Sequence, residues 1–264
     1  MRTVREIIEK IEELAPTYMA ESWDNVGLMV GDLDKRVTTV FVCLDVTSDN
    51  VKGAIECGAD LIVSHHPLIF SPVKRIVEQD VSGGILRNLI RNDISVYSAH
   101  TNLDNADGGM NDELASRINL VNIRRFYDEE CVDLSGKPID NIGRVGRLEE
   151  PMEMSDFVCM VEEALGCKSI RYVGEPGDVV RNVAVCSGSG GEGIYSAYNA
   201  GADVYVTSDI KHHEAQLAFE LGINLIDAGH FETENIICSF IGEYLEKNFD
   251  DINVIPSDAK PYFR

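Results

Sequence analysis

The chain has 264 residues, enough for one large domain or two of ordinary size, and its 44% hydrophobic content is that of a globular protein, not a disordered one. A formal net charge of −22 argues against nonspecific binding to DNA or RNA, because such a surface repels phosphate backbones. No apolar run approaches the roughly 20 residues of a membrane span, and Met1-Arg2-Thr3-Val4-Arg5-Glu6 leads into an amphipathic pattern without a signal peptide's apolar segment, so the expectation is a cytoplasmic protein.

Val4, Ile7, Ile8, Ile11 and Leu14 recur at helical spacing and predict a helix over 4–14, stopped by Pro16. Residues 37–44 then read as a buried strand, 49–57 as a helix, 60–64 as a strand, 82–92 as a helix and 94–99 as a strand. A loop with Gly108 and Gly109 leads to a helix from about 110 to 118. The stretch 128–180 is irregular, with Gly136, Pro138, Gly143, Gly146 and Pro151, and carries a predicted helix at 155–165. Strands follow at 182–187, 203–207 and 223–227, with helices at 191–200, 212–221 and 233–247. Alternating strands and helices predict an α/β fold with largely parallel pairing. The seven cysteines are odd in number, form no CxxC pair and sit partly in apolar runs, which predicts reduced thiols and no cysteine-based zinc site.

An internal repeat organises these elements. Val40 to Val63 aligns without gaps on Val183 to Val206, with identities that include Cys43/Cys186 and Gly58-Ala59-Asp60/Gly201-Ala202-Asp203. Ile94 to Ala99 likewise matches the pattern of Ile223 to Ala228. The expectation is two interlinked, internally duplicated α/β halves, 1–127 and 128–264, with no inserted domain.

Three motifs follow buried strands. Leu61-Ile62-Val63-Ser64 runs into His65-His66-Pro67; Tyr97-Ser98-Ala99 into His100-Thr101-Asn102-Leu103-Asp104; Asp227-Ala228-Gly229 into His230-Phe231-Glu232-Thr233-Glu234. Open α/β sheets bind ligands at such strand ends. Taken singly, the histidine pair has a structural reading as a turn and Asp104 one as a helix cap. Taken together, the repeat makes the preceding strands equivalent or adjacent, so all three can converge on one cleft. His230 and Glu234, four residues apart, share one helical face, and Glu234 is a candidate bridging carboxylate. Three imidazoles and two carboxylates suit Zn²⁺, Mn²⁺ or Fe²⁺ better than Ca²⁺ or Mg²⁺. Five ligands exceed one tetrahedral zinc and fit two ions roughly 3.5–4 Å apart. The expected ligand set is His65, His66, Asp104, His230 and Glu234.

Other residues carry weaker signals. His100 reads as a proton shuttle or as a partner orienting a ligand, with a buried hydrogen-bonded histidine as the structural alternative. Trp23-Asp24-Asn25 reads as substrate-lining or as a loop packed by its tryptophan. Lys211 is a candidate phosphate contact; His212-His213 lies beyond the slot equivalent to His65-His66 and is expected to open a helix. Gly188-Ser189-Gly190-Gly191-Glu192-Gly193 has a phosphate-cradling look but lacks the Walker lysine, so a tight turn is the better reading.

With Ser22-Trp23-Asp24-Asn25-Val26-Gly27-Leu28, Ser64-His65-His66-Pro67, His100-Thr101-Asn102-Leu103-Asp104 and Gly229-His230 followed by Glu234, the chain resembles the GTP cyclohydrolase 1 type 2 homologue family, also called NGG-interacting-factor-three-like. The resemblance covers essentially the whole chain. It implies two divalent ions per subunit on the five ligands above, a toroidal homohexamer, and conversion of GTP to dihydroneopterin triphosphate and formate. A hydrolase of another phosphorylated small molecule, and a non-catalytic metal-binding assembly or regulatory protein, remain the alternative readings.

Overall fold

In the computed structural model, which describes residues 1–127 and 142–263, two compact units divide the chain: Met1–Asp107 with Asn235–Lys260, and Gly108–Glu234 with Pro261–Arg264. Cys131 and the first part of the irregular stretch lie outside the described residues.

The first unit opens with β1 (Arg2–Thr3) and α1 (Val4–Leu14). Thr3 and Glu6 cap α1 reciprocally, each side chain accepting from the other's backbone N–H, while Val4, Ile7, Ile8 and Ile11 are buried. Then come β2 (Gly27–Val30), β3 (Arg36–Val37), β4 (Thr39–Cys43), α2 (Ser48–Glu56), β5 (Leu61–Ser64), α3 (Val81–Arg91), β6 (Ser95–Ser98) and the short α4 (Thr101–Asn105). β4, β5 and β6 pair in parallel, and their side chains are almost entirely buried, as strands covered on both faces must be. β2 closes one edge antiparallel to β6.

The second unit contains α5 (Met110–Arg117), β7 (Val121–Arg125), β8 (Arg144–Glu153), α6 (Met154–Leu165), β9 (Arg171–Val173), β10 (Val179–Ser189), α7 (Ile194–Asn199), β11 (Val204–Ser208), α8 (His212–Leu221), β12 (Asn224–Asp227) and α9 (His230–Glu234). Its sheet runs β7-β8-β10-β11-β12-β9, with a parallel centre of β10, β11 and β12 and antiparallel flanks.

The chain then supplies α10 (Ile237–Asn248) and β13 (Asn253–Pro256) to the first unit. β13 pairs in parallel with β4, giving the order β13-β4-β5-β6-β2. This pairing is why the unit boundaries differ from a single cut at residue 127. The helix expected over 233–247 is two: α9 ends at Glu234, and α10 buries Ile237, Ile241 and Leu245.

The repeat is visible as identical strand register. Val40 pairs with Leu61 and Val42 with Val63; at the corresponding positions Val183 pairs with Val204 and Val185 with Val206. The recurring Gly-Ala-Asp has a physical cause. Gly58 and Gly201 end their helices with φ of +68° and +79°, a conformation that favours glycine. Asp60 then accepts from the amides of Thr38 and Thr39, and Asp203 from those of Arg181 and Asn182, tying each turn to the preceding strand segment. Among the described residues the six cysteines are free thiols, with Cys43, Cys186 and Cys238 buried and Cys159 exposed. No helix among the described residues is long and apolar enough to cross a membrane.

Candidate metal centre

In the first unit, β5 delivers His65 and His66 from its C-terminal end. Their amides donate to the carbonyls of Cys43 and Leu44, so the ladder with β4 extends past Ser64 and fixes both backbones. Neighbouring β6 delivers His100 and α4. The His100 amide donates to Asn102 Oδ1, and Asn102 Nδ2 donates to the Ala15 carbonyl, which anchors the short helix carrying Asp104.

Three imidazoles gather here, with ring centroids 5.3 Å apart for His65 and His66, 5.1 Å for His65 and His100, and 5.6 Å for His66 and His100. Each ring offers one nitrogen such that the three lie within 4.8 Å of one another. Asp104 is buried, with Oδ1 3.5 Å from His65 Nε2.

The other nitrogens are committed to oxygen acceptors. His65 Nδ1 donates to the Ala99 carbonyl at 2.8 Å, His66 Nδ1 to Asp45 Oδ1 at 2.7 Å, and His100 Nδ1 to Asp24 Oδ1 at 2.9 Å. A carbonyl or carboxylate only accepts, so in each neutral ring the proton sits on Nδ1 and the lone pair on Nε2. This is the arrangement by which outer oxygens orient histidines that bind metal. It also answers the burial problem: a polar cluster at a strand end is costly unless its members are hydrogen-bonded.

The second unit repeats the device. α9 carries His230 and Glu234 on one face, with Nε2 2.8 Å from Glu234 Oε2. His230 Nδ1 meets Asp209 Oδ2 at 2.7 Å. The hydrogen bond to Glu234 raises the His230 pKa to about 9, against the opposing effect of burial and with help from Asp209. Two carboxylates flanking one imidazole call for a cation, proton or metal. Gly188, at φ +61°, lets the backbone pass this pair closely: a Cβ there would stand 2.1 Å from Glu234 Oε1. Its amide donates to Thr233 Oγ1 at 3.1 Å, which holds the loop against α9.

The remaining expected site residues fall as follows. Asp24 is a fastening residue: its side chain is fully buried, taking hydrogen bonds from His100 and from the amide and hydroxyl of Thr101. Asn25 Nδ2 donates to the Ile69 carbonyl. Trp23 stands exposed, its ring centroid 6.2 Å from that of His100. Lys211, in the second unit, precedes α8 and bonds Glu214. His212 and His213 open α8 on the surface. The glycine-rich loop is closed from behind, since a Cβ on Gly191 would stand 2.5 Å from the Glu214 carboxyl. That negative group belongs to a tight turn, not a phosphate cradle.

Sequence reading missed Asp45 and Asp209. Asp45 follows β4 and Asp209 follows β11, each at a strand end, and Asp209 occupies the slot equivalent to His66 in the repeat. That alignment was the available signal: where the first half has a histidine, the second has the carboxylate that orients one.

The family model described as Duf34/NIF3 (NGG1p interacting factor 3) matches residues 2–261. A Clostridium perfringens protein named GTP cyclohydrolase 1 type 2 homolog is 37% identical, over 98% of each chain. Among solved structures, a Bacillus cereus protein related to NIF3 aligns with a TM-score of 0.91 at 28% identity, covering 100% of this chain and 99% of that one. Reduced HcgD from Methanocaldococcus jannaschii aligns with a TM-score of 0.82 at 35% identity, covering 98% of each chain.

Proposed function

The chain belongs to the Duf34/NIF3 family, and on that footing we propose that it is a dinuclear metal-dependent hydrolase acting on a nucleotide, in the manner of a GTP cyclohydrolase. The observation that carries the reading is the tautomer pattern: His65, His66 and His100 converge with every Nδ1 committed to an oxygen acceptor, which leaves each Nε2 lone pair for a metal ion or a proton.

The donor set fits divalent ions of borderline softness, Zn²⁺, Mn²⁺ or Fe²⁺. In this reading His65, His66, Asp104, His230 and Glu234 are the ligands of the ions. Such ions supply Lewis-acid polarisation of a substrate oxygen and acidification of bound water. His65 and His66 hold their lone pairs in fixed directions, so no reorganisation is needed at loading. His100, oriented by Asp24, carries a proton at Nε2 to or from the reacting group. Lys211 supplies the charge that grips a phosphate. Self-association into a homohexamer and residence in the cytoplasm complete the proposal.

The test is turnover. Purified protein reconstituted anaerobically with Zn²⁺, Mn²⁺ or Fe²⁺ is assayed for formate and pterin release from GTP, beside His65→Ala. Metal-dependent release that is lost in the variant supports the reading. Two bound ions with no release under any metal would remove GTP and turn the search to other phosphorylated substrates or to a non-catalytic role.

A further inference from the structure

We infer that Trp23 and Phe70 form the face on which the planar heteroaromatic ring of a substrate docks beside the histidines of the first unit; the inference rests on the reading of that cluster as the catalytic site and specifies what it admits.

Both rings are exposed, Trp23 at 59% and Phe70 at 55%. They touch without stacking, with centroids 6.1 Å apart and planes tilted by 49°. Trp23 also meets His100 edge-on, at 6.2 Å and 76°. A continuous aromatic surface therefore runs from solvent to an imidazole of the candidate metal centre.

This surface is held from beneath. Asp24, the residue after Trp23, is locked to His100 and Thr101. The amide of Glu21, two residues before Trp23, donates to Thr101 Oγ1 at 2.9 Å. Asn25 donates to the carbonyl of Ile69, the residue before Phe70. Each aromatic side chain is thus the exposed neighbour of a fastened residue. Exposed aromatics on fixed backbone lose little conformational freedom when a ligand arrives, which is what makes them effective binding groups. Stacking of a base on such a ring tolerates any heterocycle, because every base has a π-face. The Trp23–Phe70 surface accordingly recognises ring planarity, and the polar groups around it select among rings.

Continuity with His100 favours a small heterocycle over a second copy of the chain as the occupant. Val73, Ile76 and Val81, also exposed, extend the apolar stretch along the chain past Phe70, so self-association is the competing occupant that the experiment must separate.

Trp23 is the sole tryptophan of the sequence, so its fluorescence reports on this surface alone. Full-length, Zn²⁺-loaded protein at several concentrations, each held fixed during the titration, is titrated with GTP, guanosine, adenosine, cytidine and ribose 5-phosphate. The expected result is a saturable change with at least one heterocycle and none with ribose 5-phosphate. Phe70→Ala weakens that binding about tenfold while two ions per chain are retained. No saturable change with any heterocycle, unchanged affinity in Phe70→Ala, or a signal that follows protein concentration alone would overturn the inference. The outcomes separate from those of the turnover assay. Ring binding without formate release sinks the cyclohydrolase reading and leaves this surface standing; full turnover by Trp23→Ala does the reverse.

Discussion

Asp24 and His100, 76 residues apart in the chain, are joined by a 2.9 Å hydrogen bond from the imidazole Nδ1 to the carboxylate. Burial works against ionisation of Asp24, but the hydrogen bonds from His100 and Thr101 outweigh it and bring the carboxyl down to about 2. A folded-state pKa below the unfolded value means that the carboxylate's contribution to stability is complete above about pH 4 and is lost as pH falls towards 2. Between pH 5 and 8 it is constant. Asp24→Asn keeps the shape but removes the charge that fixes the His100 tautomer. The expected result is a roughly 10–100-fold loss in metal affinity or turnover, read by metal titration and product release. Wild-type values for both would reduce Asp24 to a loop tie.

Metal loading has a thermodynamic signature as well. An ion that binds only the folded protein adds about 2.7 kcal/mol when supplied at 100 times its Kd. For a chain of this size that corresponds to a rise of roughly 5–10 °C in Tm. Chelation reverses it. The double variant His65→Ala with Glu234→Ala should bind fewer than two ions per chain; two ions retained by metal analysis would refute the ligand set.

Gly188→Ala tests the packing behind Glu234. The new Cβ would fall 2.1 Å from Glu234 Oε1, and the backbone sits at φ +61°, which costs an alanine about 1 kcal/mol before any clash. The carboxylate has to move. Thermal unfolding of the metal-free protein should reveal a loss of roughly 1–3 kcal/mol, and the bound metal should fall with it. Unchanged metal content would indicate that Glu234 needs no support from this loop.

Asp60 and Asp203 should matter for stability and not for chemistry. Burial raises the Asp60 pKa, yet hydrogen bonds from Thr38 and Thr39 more than compensate and leave it lowered. Its contribution is therefore present above the unfolded pKa of about 3.9 and lost as pH falls through the folded value. Asp60→Ala removes the acceptor of the Thr38 and Thr39 amides, and Asp203→Ala that of the Arg181 and Asn182 amides. Denaturant unfolding at pH 7 should register about 1–2 kcal/mol for each, with metal content intact.

The parts of the fold that were legible in the chain are those encoded by local pattern. β4, β5 and β6, their counterparts β11 and β12, and the buried part of β10 carry apolar runs, because strands buried on both faces need such sequences. α1 matched its expected span because capping, periodicity and Pro16 all agree. Strands β7, β8 and β9 were not legible. β7 alternates exposed with half-buried residues, β8 contains Gly146 and Pro151, and β9 has three residues, so none carries an apolar run.

The sequence by itself determined the residue types and strand ends of the candidate centre: His65-His66, His100 with Asp104, and His230 with Glu234, each directly after a buried strand of a duplicated unit. Which nitrogen each histidine offers was decided only in three dimensions. Asp24, Asp45, Asp209 and the Ala99 carbonyl set the tautomers from positions 21 to 76 residues away, at distances in sequence that no motif spacing records. The return of α10 and β13 to the first sheet has the same origin. Burial of Ile237, Ile241 and Leu245 and pairing with β4 reward that position, and both depend on a surface that exists only once the earlier strands have assembled.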